Sequence, residues 1–235
     1  MATNKVVIGG SFNVTAHQLA EMFKQIGSGA LNGFHIQWVL DHQDPFGLYN
    51  LNDRRIWTHV YRLCGVDFSP GKFNWDVNPG QWVVPVASGI TPNRIVQAMR
   101  ELGIQFTLSG EDLDSCLIND RQTSGRGSYL IRLKAQVESE EEFNSVSEQA
   151  LRRDQVVGIN LVERLLLEFA FHLFTGKHLD NSFMTLCSGS SYRLKQGHRV
   201  PVVYFENGKV RVGIVNSFES LKKVCTRRVE LVSPT

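Results

Sequence analysis

The segment from Gly158 to Lys177, GINLVERLLLEFAFHLFTGK, constrains the fold of this chain most. Its apolar residues cover almost the whole circumference of the helix that the segment predicts, so that helix must be mostly buried. No apolar run in the chain reaches the roughly 18 residues that cross a bilayer, so we expect burial in a protein core. We therefore predict a buried helix over residues 159–175. A narrow polar stripe along it consists of Asn160, Arg164, Glu168 and His172.

A core that surrounds such a helix needs a chain of substantial size. With 235 residues, the chain can form one large domain or two small ones. It is 42% hydrophobic and 20% charged, which is typical of a globular protein rather than a disordered one. The first residues, MATNKVVIGGSFNVT, lack the charged region, apolar stretch and cleavage site of a secretory signal. We expect a cytoplasmic protein with no membrane partner.

Helix and strand signals alternate irregularly along the chain. GITPNRIVQAMRELGI predicts a helix that Thr91 caps, with Pro92 in its first turn, and its predicted buried face includes Leu102. Near the C-terminus, two β-rich runs flank Asn207 and Gly208, a pair that suits a type I′ turn. The sequence therefore predicts an α+β fold of mixed helices and antiparallel strands, with a C-terminal β-hairpin over residues 200–215.

Two Pro-Gly elements in FSPGKFNWDVNPG, residues 68–80, mark the best internal boundary. Before it, TAHQLAEMFKQIG and NLNDRRIWTHVYRLCG both have helical spacing. We predict an N-terminal helical region over residues 1–79 and an α+β domain over residues 80–235. Within the second region, the polar stretch 111–127 indicates a long loop. The sequence SEEE, at Ser139 to Glu142, is typical of a capping box that begins a helix.

The candidates for catalysis and metal binding have simpler explanations. An acid/base constellation on the buried helix would use Glu163, Arg164, Glu168 and His172, but Arg164 and Glu168 are also spaced as a plain ion pair. His and Asp residues in HIQWVLDHQDP offer ligand atoms, yet such residues before a Pro-Gly loop are commonly turn formers. No catalytic or cofactor motif occurs, and the four cysteines lack the paired spacing of a zinc site. We predict no metal and no cofactor.

Positive charge is concentrated near the C-terminus. From Ser190 to Thr235 there are nine Lys or Arg and three Glu, a net charge of +6 in a chain whose total is +2. This asymmetry indicates an anionic partner, or a C-terminal segment that packs against an acidic body. Aromatic residues lie among the basic ones, which is the composition of a nucleic-acid surface. Those aromatics are Tyr192, Tyr204, Phe205 and Phe218.

Three stretches of the C-terminal third, ERLLLEFAFHLFTGKHLD, TLCSGS and RVPVVYFENGKVRV, resemble a pattern in uncharacterised proteins of candidate-phylum bacteria. That pattern usually has Trp where this chain has Phe205 and Ile214. Some of those proteins look like targets of diversity-generating retroelements, with variation concentrated in the C-terminal loop and hairpin. The resemblance implies a fixed scaffold whose surface positions bind a partner. Those positions are Tyr192, Arg193, His198, Arg199, Tyr204, Glu206 and Arg211.

The first hypothesis is therefore a non-enzymatic binding protein whose C-terminal loop and hairpin contact an unidentified macromolecular partner, which the charge pattern suggests is anionic. A nucleic-acid-binding accessory protein that uses the basic C-terminal segment is one alternative. An enzyme that uses the polar stripe of the buried helix is the other.

Overall fold

The computed structural model describes residues 5–7, 13–15, 23–24, 51–69, 71, 73, 75, 77–108, 112–119, 127–192 and 198–232. Its contacts divide the chain into two compact units, Met1–Asn50 with Leu173–Gly176, and Leu51–His172 with Lys177–Thr235. The predicted boundary between residues 79 and 80 stays a prediction. Helices and mostly antiparallel strands are mixed, so the α+β fold is confirmed. None of the helices in the described ranges is long and apolar enough to cross a membrane.

Five α-helices have described bounds. They are α1 Arg54–Leu63, α2 Pro92–Glu101, α3 Leu113–Cys116, α4 Glu148–Arg153 and α5 Leu161–Thr175. The strands with described bounds are β1 Lys5–Val7, β2 Asn13–Thr15, β3 Gln81–Val86, β4 Phe106–Leu108, β5 Leu117–Asn119, β6 Tyr129–Lys134, β7 Met184–Leu186, β8 Ser190–Tyr192, β9 Arg199–Glu206, β10 Lys209–Asn216, β11 Val224–Cys225 and β12 Glu230–Val232.

The apolar spacing in the sequence predicted helices at the positions of α1 and α2, and both are confirmed. The hydroxyl of Thr91 accepts a hydrogen bond from the backbone N–H of Arg94, and Pro92 is the first residue of α2, as predicted. Gly103 follows with φ of +82°, a left-handed conformation that ends the helix. The burial of Leu102 was predicted wrongly, because its side chain is 47% exposed. Leu102 is the C-cap residue, where the helical periodicity that defines the buried face no longer holds.

Helix α5 is the buried element that the sequence predicts. Every residue from Leu161 to Phe171 is buried. Its first turn is held by a reciprocal pair: the side chain of Asn160 accepts from the N–H of Glu163 at 2.8 Å, and the Glu163 carboxylate accepts from the N–H of Asn160 at 2.8 Å. This is the geometry of a capping box.

The capping box predicted at Ser139 to Glu142 is wrong. A short 3₁₀ helix, Glu141–Phe143, begins there without a side-chain cap. The hydroxyl of Ser139 instead donates to Asp180 at 2.8 Å and lies 2.9 Å from the hydroxyl of Thr185. The Ser139 hydroxyl, which the local pattern assigned to a helix cap, therefore forms long-range hydrogen bonds instead.

The predicted hairpin forms the middle of a seven-stranded sheet with the order β11-β7-β9-β10-β4, in which β8 joins β9 to β5. Strands β9 and β10 pair antiparallel over their full length, from Glu206 opposite Lys209 to Arg199 opposite Asn216. The turn residues Asn207 and Gly208 have φ of +51° and +74°, as a type I′ turn requires. The hairpin is confirmed, but its strands are interior to the sheet, and its tip is the exposed part.

Strands β12, β6 and β3 form a separate antiparallel sheet. Side chains from the segment that contains α1 bond to the free edge of β3. The Asn52 amide donates to the carbonyl of Gln81 and accepts from the N–H of Val83. The Tyr61 hydroxyl donates to the carbonyl of Pro85 and accepts from the N–H of Ala87. Two side chains thus replace the hydrogen bonds of a neighbouring strand.

Two further predictions concern the polar and N-terminal segments. Residues 111–127 were predicted as a loop, but Leu113–Cys116 is a helix and Leu117–Asn119 is a strand that pairs with β8. The Asp112 side chain caps that helix. A polar residue that we interpreted as part of a loop therefore begins a helix instead. The helix predicted after Thr15 lies outside the described residues, except for Phe23 and Lys24, which are helical.

Candidate functional site

Three of the predicted site residues share one face of the sheet. Tyr204 lies directly opposite Arg211, and Glu206 lies opposite Lys209. Residues two apart on a strand, and residues opposite each other on paired strands, point to the same side. On strand β4, the exposed residue Thr107 is paired with Arg211 and continues this row. We call Thr107, Tyr204, Glu206, Lys209 and Arg211 the outer hairpin face.

The middle of this face contains an aromatic ring beside a cation. Tyr204 is half-buried at the margin of an apolar cluster that includes Val202 and Met184. A β-carbon added to Gly213 would lie 3.1 Å from the Val202 side chain and 3.8 Å from the Tyr204 ring, so the ring lies at contact distance beside this glycine. The Nε of Arg211 is 3.3 Å from a carboxylate oxygen of Glu206, but it forms no hydrogen bond.

The other predicted site residues lie elsewhere. His198 and Arg199 are exposed at the opposite end of β9, roughly 20 Å away at the usual rise of about 3.3 Å per residue. The His198 ring is 3.8 Å from the carboxylate of Glu148. Tyr192 is 7% exposed and pairs with Leu117 and Arg199, so it is a buried strand residue rather than a surface position. Arg193 lies outside the described residues.

The opposite face of the same sheet lies over charged groups that are almost completely buried. Arg164 and Glu168 of α5 form an ion pair at 2.9 Å, as the sequence spacing indicated. Arg164 also bonds to Asp180 at 2.8 Å, and Arg227 bonds to the other oxygen of Asp180 at 2.8 Å. We call Arg164, Glu168, Asp180 and Arg227 the buried charge network, and none of their side chains is more than 1% exposed.

The network joins the helix to the sheet through Thr185 of β7. The Thr185 hydroxyl donates to Asp180 and accepts from Nε of Arg164 at 3.2 Å. Arg227 also donates to the carbonyls of Gln136 and Val137, at 2.9 and 2.6 Å. Two cations and two carboxylates therefore compensate each other in the core, which is how buried charges are tolerated.

Electrostatics keep both carboxylates ionised. Burial alone would raise the pKa of Asp180, but the guanidinium groups of Arg227 and Arg164 outweigh it and lower the pKa below its ordinary value. Burial would likewise raise the pKa of Glu168, and Arg164 and His178 lower it instead. Burial would lower the pKa of Arg164, but Asp180 and Glu168 raise it. Burial lowers the pKa of Arg227, which starts so high that it remains charged at neutral pH.

The histidine that contacts this network is His178, which the sequence reasoning missed. Its Nδ1 lies 2.7 Å from the carboxylate of Glu168, and its ring stacks on Phe205 of β9 at 3.9 Å and on His172 at 4.3 Å. The stripe residue His172 bonds instead to the carbonyl of Lys177. The HLD sequence after the helix was the only signal, because nothing local indicates that the chain turns back over Glu168.

These positions bear on the proposed acid/base constellation. Glu163 is committed to the helix cap and to the hydroxyl of Tyr129 at 3.0 Å. Arg164 and Glu168 are buried among their partners. The constellation predicted from spacing is therefore an interior ion-pair and cap arrangement, with His172 at its partly exposed end.

The described residues offer no metal site, and their surface cavity lies away from the predicted site residues. No group of three or more His, Cys, Asp or Glu there could hold a metal ion, and the candidate ligands His35, Asp41, His42 and Asp44 lie outside those residues. A surface cavity of about 430 Å³ is lined by Asp67, Phe68 and Ser69, with Phe73, Ser88, Gly127 and Ser128, and it contains none of the predicted site residues.

Comparison with family models, curated proteins and solved structures finds no match to this chain. The resemblance of its C-terminal third to proteins of candidate-phylum bacteria therefore stays a prediction.

Proposed function

We propose that this protein is a non-enzymatic binding protein that contacts a macromolecular partner through its outer hairpin face. The observation that carries the proposal is the common face of Tyr204, Glu206 and Arg211, three of the residues predicted to bind. Tyr and Arg are, with Trp, the residue types enriched among those that contribute most binding energy at protein interfaces. A row of them on interior strands of a sheet is held in place without help from a partner.

The scaffold beneath this face supports the same reading. Phe205, between Tyr204 and Glu206, stacks on His178, and Thr185 of the neighbouring strand β7 bonds to the buried charge network. Binding surfaces are commonly displayed on scaffolds of this rigidity. Three of the four residues predicted for catalysis, Glu163, Arg164 and Glu168, are buried inside that scaffold, which favours binding over chemistry.

The charge distribution gives less support to a nucleic-acid groove. Of the nine basic residues after Ser190, Arg227 is 1% exposed and bonded to Asp180, and Arg211 lies beside Glu206. Arg199 and Lys209 lie at opposite ends of the hairpin strands. Carboxylates therefore offset the charges of Arg227 and Arg211, and the charges of Arg199 and Lys209 lie far apart.

Affinity capture with paired variants tests the proposal. The hairpin variant combines Tyr204→Ala with Arg211→Gln. The control combines Arg100→Gln on α2 with Leu102→Ala at the C-cap of that helix, where both side chains are exposed. Both variants remove one positive charge and one large side chain. We expect the hairpin variant to lose partners that the wild type and the control retain, with nuclease treatment making no difference.

Each outcome of this capture has a clear reading. Identical partner sets for all three proteins, at unchanged melting temperatures, would contradict the proposal. Loss of the same partners by nuclease treatment alone would favour the nucleic-acid alternative.

A further inference from the structure

The first observation concerns the unused donors of Arg211. A guanidinium group has five N–H donors on three nitrogens, and in the core each nitrogen of Arg164 donates to Asp180, Glu168 or Thr185. Arg211 is 31% exposed, and its Nε forms no hydrogen bond. Its recorded polar contact among the described residues is the carboxylate oxygen of Glu206 at 3.3 Å. The Nε atom is itself buried, so the donors left for a partner are those of the two terminal nitrogens, which form no hydrogen bond to the described residues.

The second observation concerns Tyr204, directly opposite. Its ring lies beside Gly213 and against the apolar cluster, so it is already fixed before any partner arrives. Its hydroxyl makes no hydrogen bond to the described residues. Opposite residues on paired strands have β-carbons about 5 Å apart, so the Tyr204 and Arg211 side chains can reach one shared ligand group.

We propose that the outer hairpin face binds an acidic segment of a partner protein, whose carboxylate is received by Arg211 and Tyr204. The inference rests on the proposed function and names the chemistry of the partner. The planar guanidinium matches a carboxylate in geometry and charge. Within the protein, Glu206 already occupies part of the place that we assign to the partner's carboxylate, because its own carboxylate lies beside the Arg211 guanidinium. Lys209, exposed at the turn, adds a second positive charge to this face.

The geometry favours a peptide carboxylate over a nucleic acid. Proteins that track single strands present several aromatic rings on which successive bases stack. The outer hairpin face has one aromatic ring, Tyr204, which packs against the protein, whereas Phe205 faces His178 on the other side. An acidic segment can pair its carboxylates with Arg211 and Lys209, and this pairing requires no further aromatic side chains on the face.

The test is an NMR titration of the full chain at low salt with a blocked peptide of alternating Gly and Glu. The matched peptide of Gly and Gln controls for backbone contacts. We expect the Glu peptide to shift the signals around residues 204–211 and the Gln peptide to leave them. Arg211→Gln should weaken binding at least about tenfold, because hydrogen bonds to charged groups are the strong ones.

Glu206→Gln gives the sharpest result, because the proposal predicts a gain. Removal of the internal carboxylate frees Arg211, and we expect the Glu peptide to bind about twofold to fivefold more tightly, the range of an exposed ion pair. Weaker or unchanged binding in this variant would overturn the proposal. Equal binding of the two peptides would also overturn it, as would Arg211-dependent binding of oligothymidylate in their place.

Failure here is distinguishable from failure of the proposed function. If capture of the natural partner depends on Tyr204 and Arg211 while the Glu peptide does not bind, the face is an interface for a different chemistry. If the captured partners are the same with and without the Tyr204 and Arg211 side chains, the proposed function itself is refuted.

Discussion

The two faces of the hairpin sheet both place arginine beside carboxylates, with opposite results. On the inner face, Arg164 is fully buried and bonds to Glu168, Asp180 and Thr185. On the outer face, Arg211 is partly exposed, and its contact with Glu206 lacks a hydrogen bond from Nε. The residue type is the same, but Arg164 is buried between two carboxylates and Arg211 is partly exposed beside one.

This difference distinguishes a charge that stabilises the fold from a charge that can bind a partner. A buried guanidinium without a counter-charge would destabilise the fold, so Arg164 and Arg227 must both be paired with Asp180 before any ligand is present, although Nε of Arg227 has no hydrogen-bond partner among the described residues. An exposed guanidinium has water as its partner and can exchange it for a ligand group. Exposure and the number of paired carboxylates, rather than sequence spacing, therefore distinguish the two clusters.

The largest expected effect follows from Asp180, which bridges both buried arginines. Asp180→Asn keeps the side-chain shape and tolerates the φ of +54° at this position, but it removes the negative charge between Arg164 and Arg227. We expect a loss of about 3–5 kcal/mol in the free energy of unfolding, measured by urea denaturation. Asp154→Asn, which breaks an exposed pair with Arg153, is the control and should leave the urea midpoint unchanged.

The pH dependence of stability is the second expected effect. The pKa values of Asp180 and Glu168 are lowered in the folded protein, so their contribution is fully present above the pKa values of the unfolded chain, about 4. It is lost as pH falls further through the folded pKa values. We expect the free energy of unfolding to decline below about pH 4, and to decline less steeply in Asp180→Asn. An identical pH profile for wild type and variant would contradict the role of Asp180.

A third and smaller effect is expected at the tip of the hairpin. Gly208 has φ of +74°, and a β-carbon there would meet no atom within 4 Å. Gly208→Val therefore tests backbone strain alone, and we expect a loss of about 1–3 kcal/mol in thermal or urea unfolding. Asn207→Gly, which suits the left-handed conformation, is the control. If Gly208→Val left the free energy of unfolding unchanged, the turn would not determine how β9 and β10 pair beneath the outer hairpin face.

The smallest expected effect is on Arg211 itself. Arg211→Gln removes a partly exposed side chain without a hydrogen bond at Nε, so the free energy of unfolding should change by less than about 0.5 kcal/mol. The same substitution is expected to weaken binding strongly. A loss of stability comparable to that of Asp180→Asn would remove the distinction between the two faces.

The parts of the fold that depend on local patterns were predictable. Thr91 with Pro92, the apolar run of α5 and Asn207 with Gly208 each determine their element through neighbouring residues. The capping box at Ser139 failed because that hydroxyl bonds to Asp180, 41 residues away. A pattern of four letters contains no information about a partner at that distance.

The candidate site was predictable to the same extent. The turn at Gly208 and the alternation of the strands place Tyr204, Glu206 and Arg211 on one side. The burial of Tyr192 was not predictable, because it depends on β5, a strand within a stretch that was expected to be a loop. The pairing of Glu168 with His178 rather than His172 depends on how the chain turns after α5.

The edge of β3 has a consequence for how this protein meets copies of itself. Strands with free backbone groups recruit other strands and seed aggregates. Along β3, Asn52 and Tyr61 bond to the carbonyls of Gln81 and Pro85 and to the N–H of Val83, so an incoming strand would first have to displace two buried or half-buried side chains. The three-stranded sheet is thereby closed to growth on that side by hydrogen bonds from one short segment, which protects it from edge-to-edge polymerisation without an added strand.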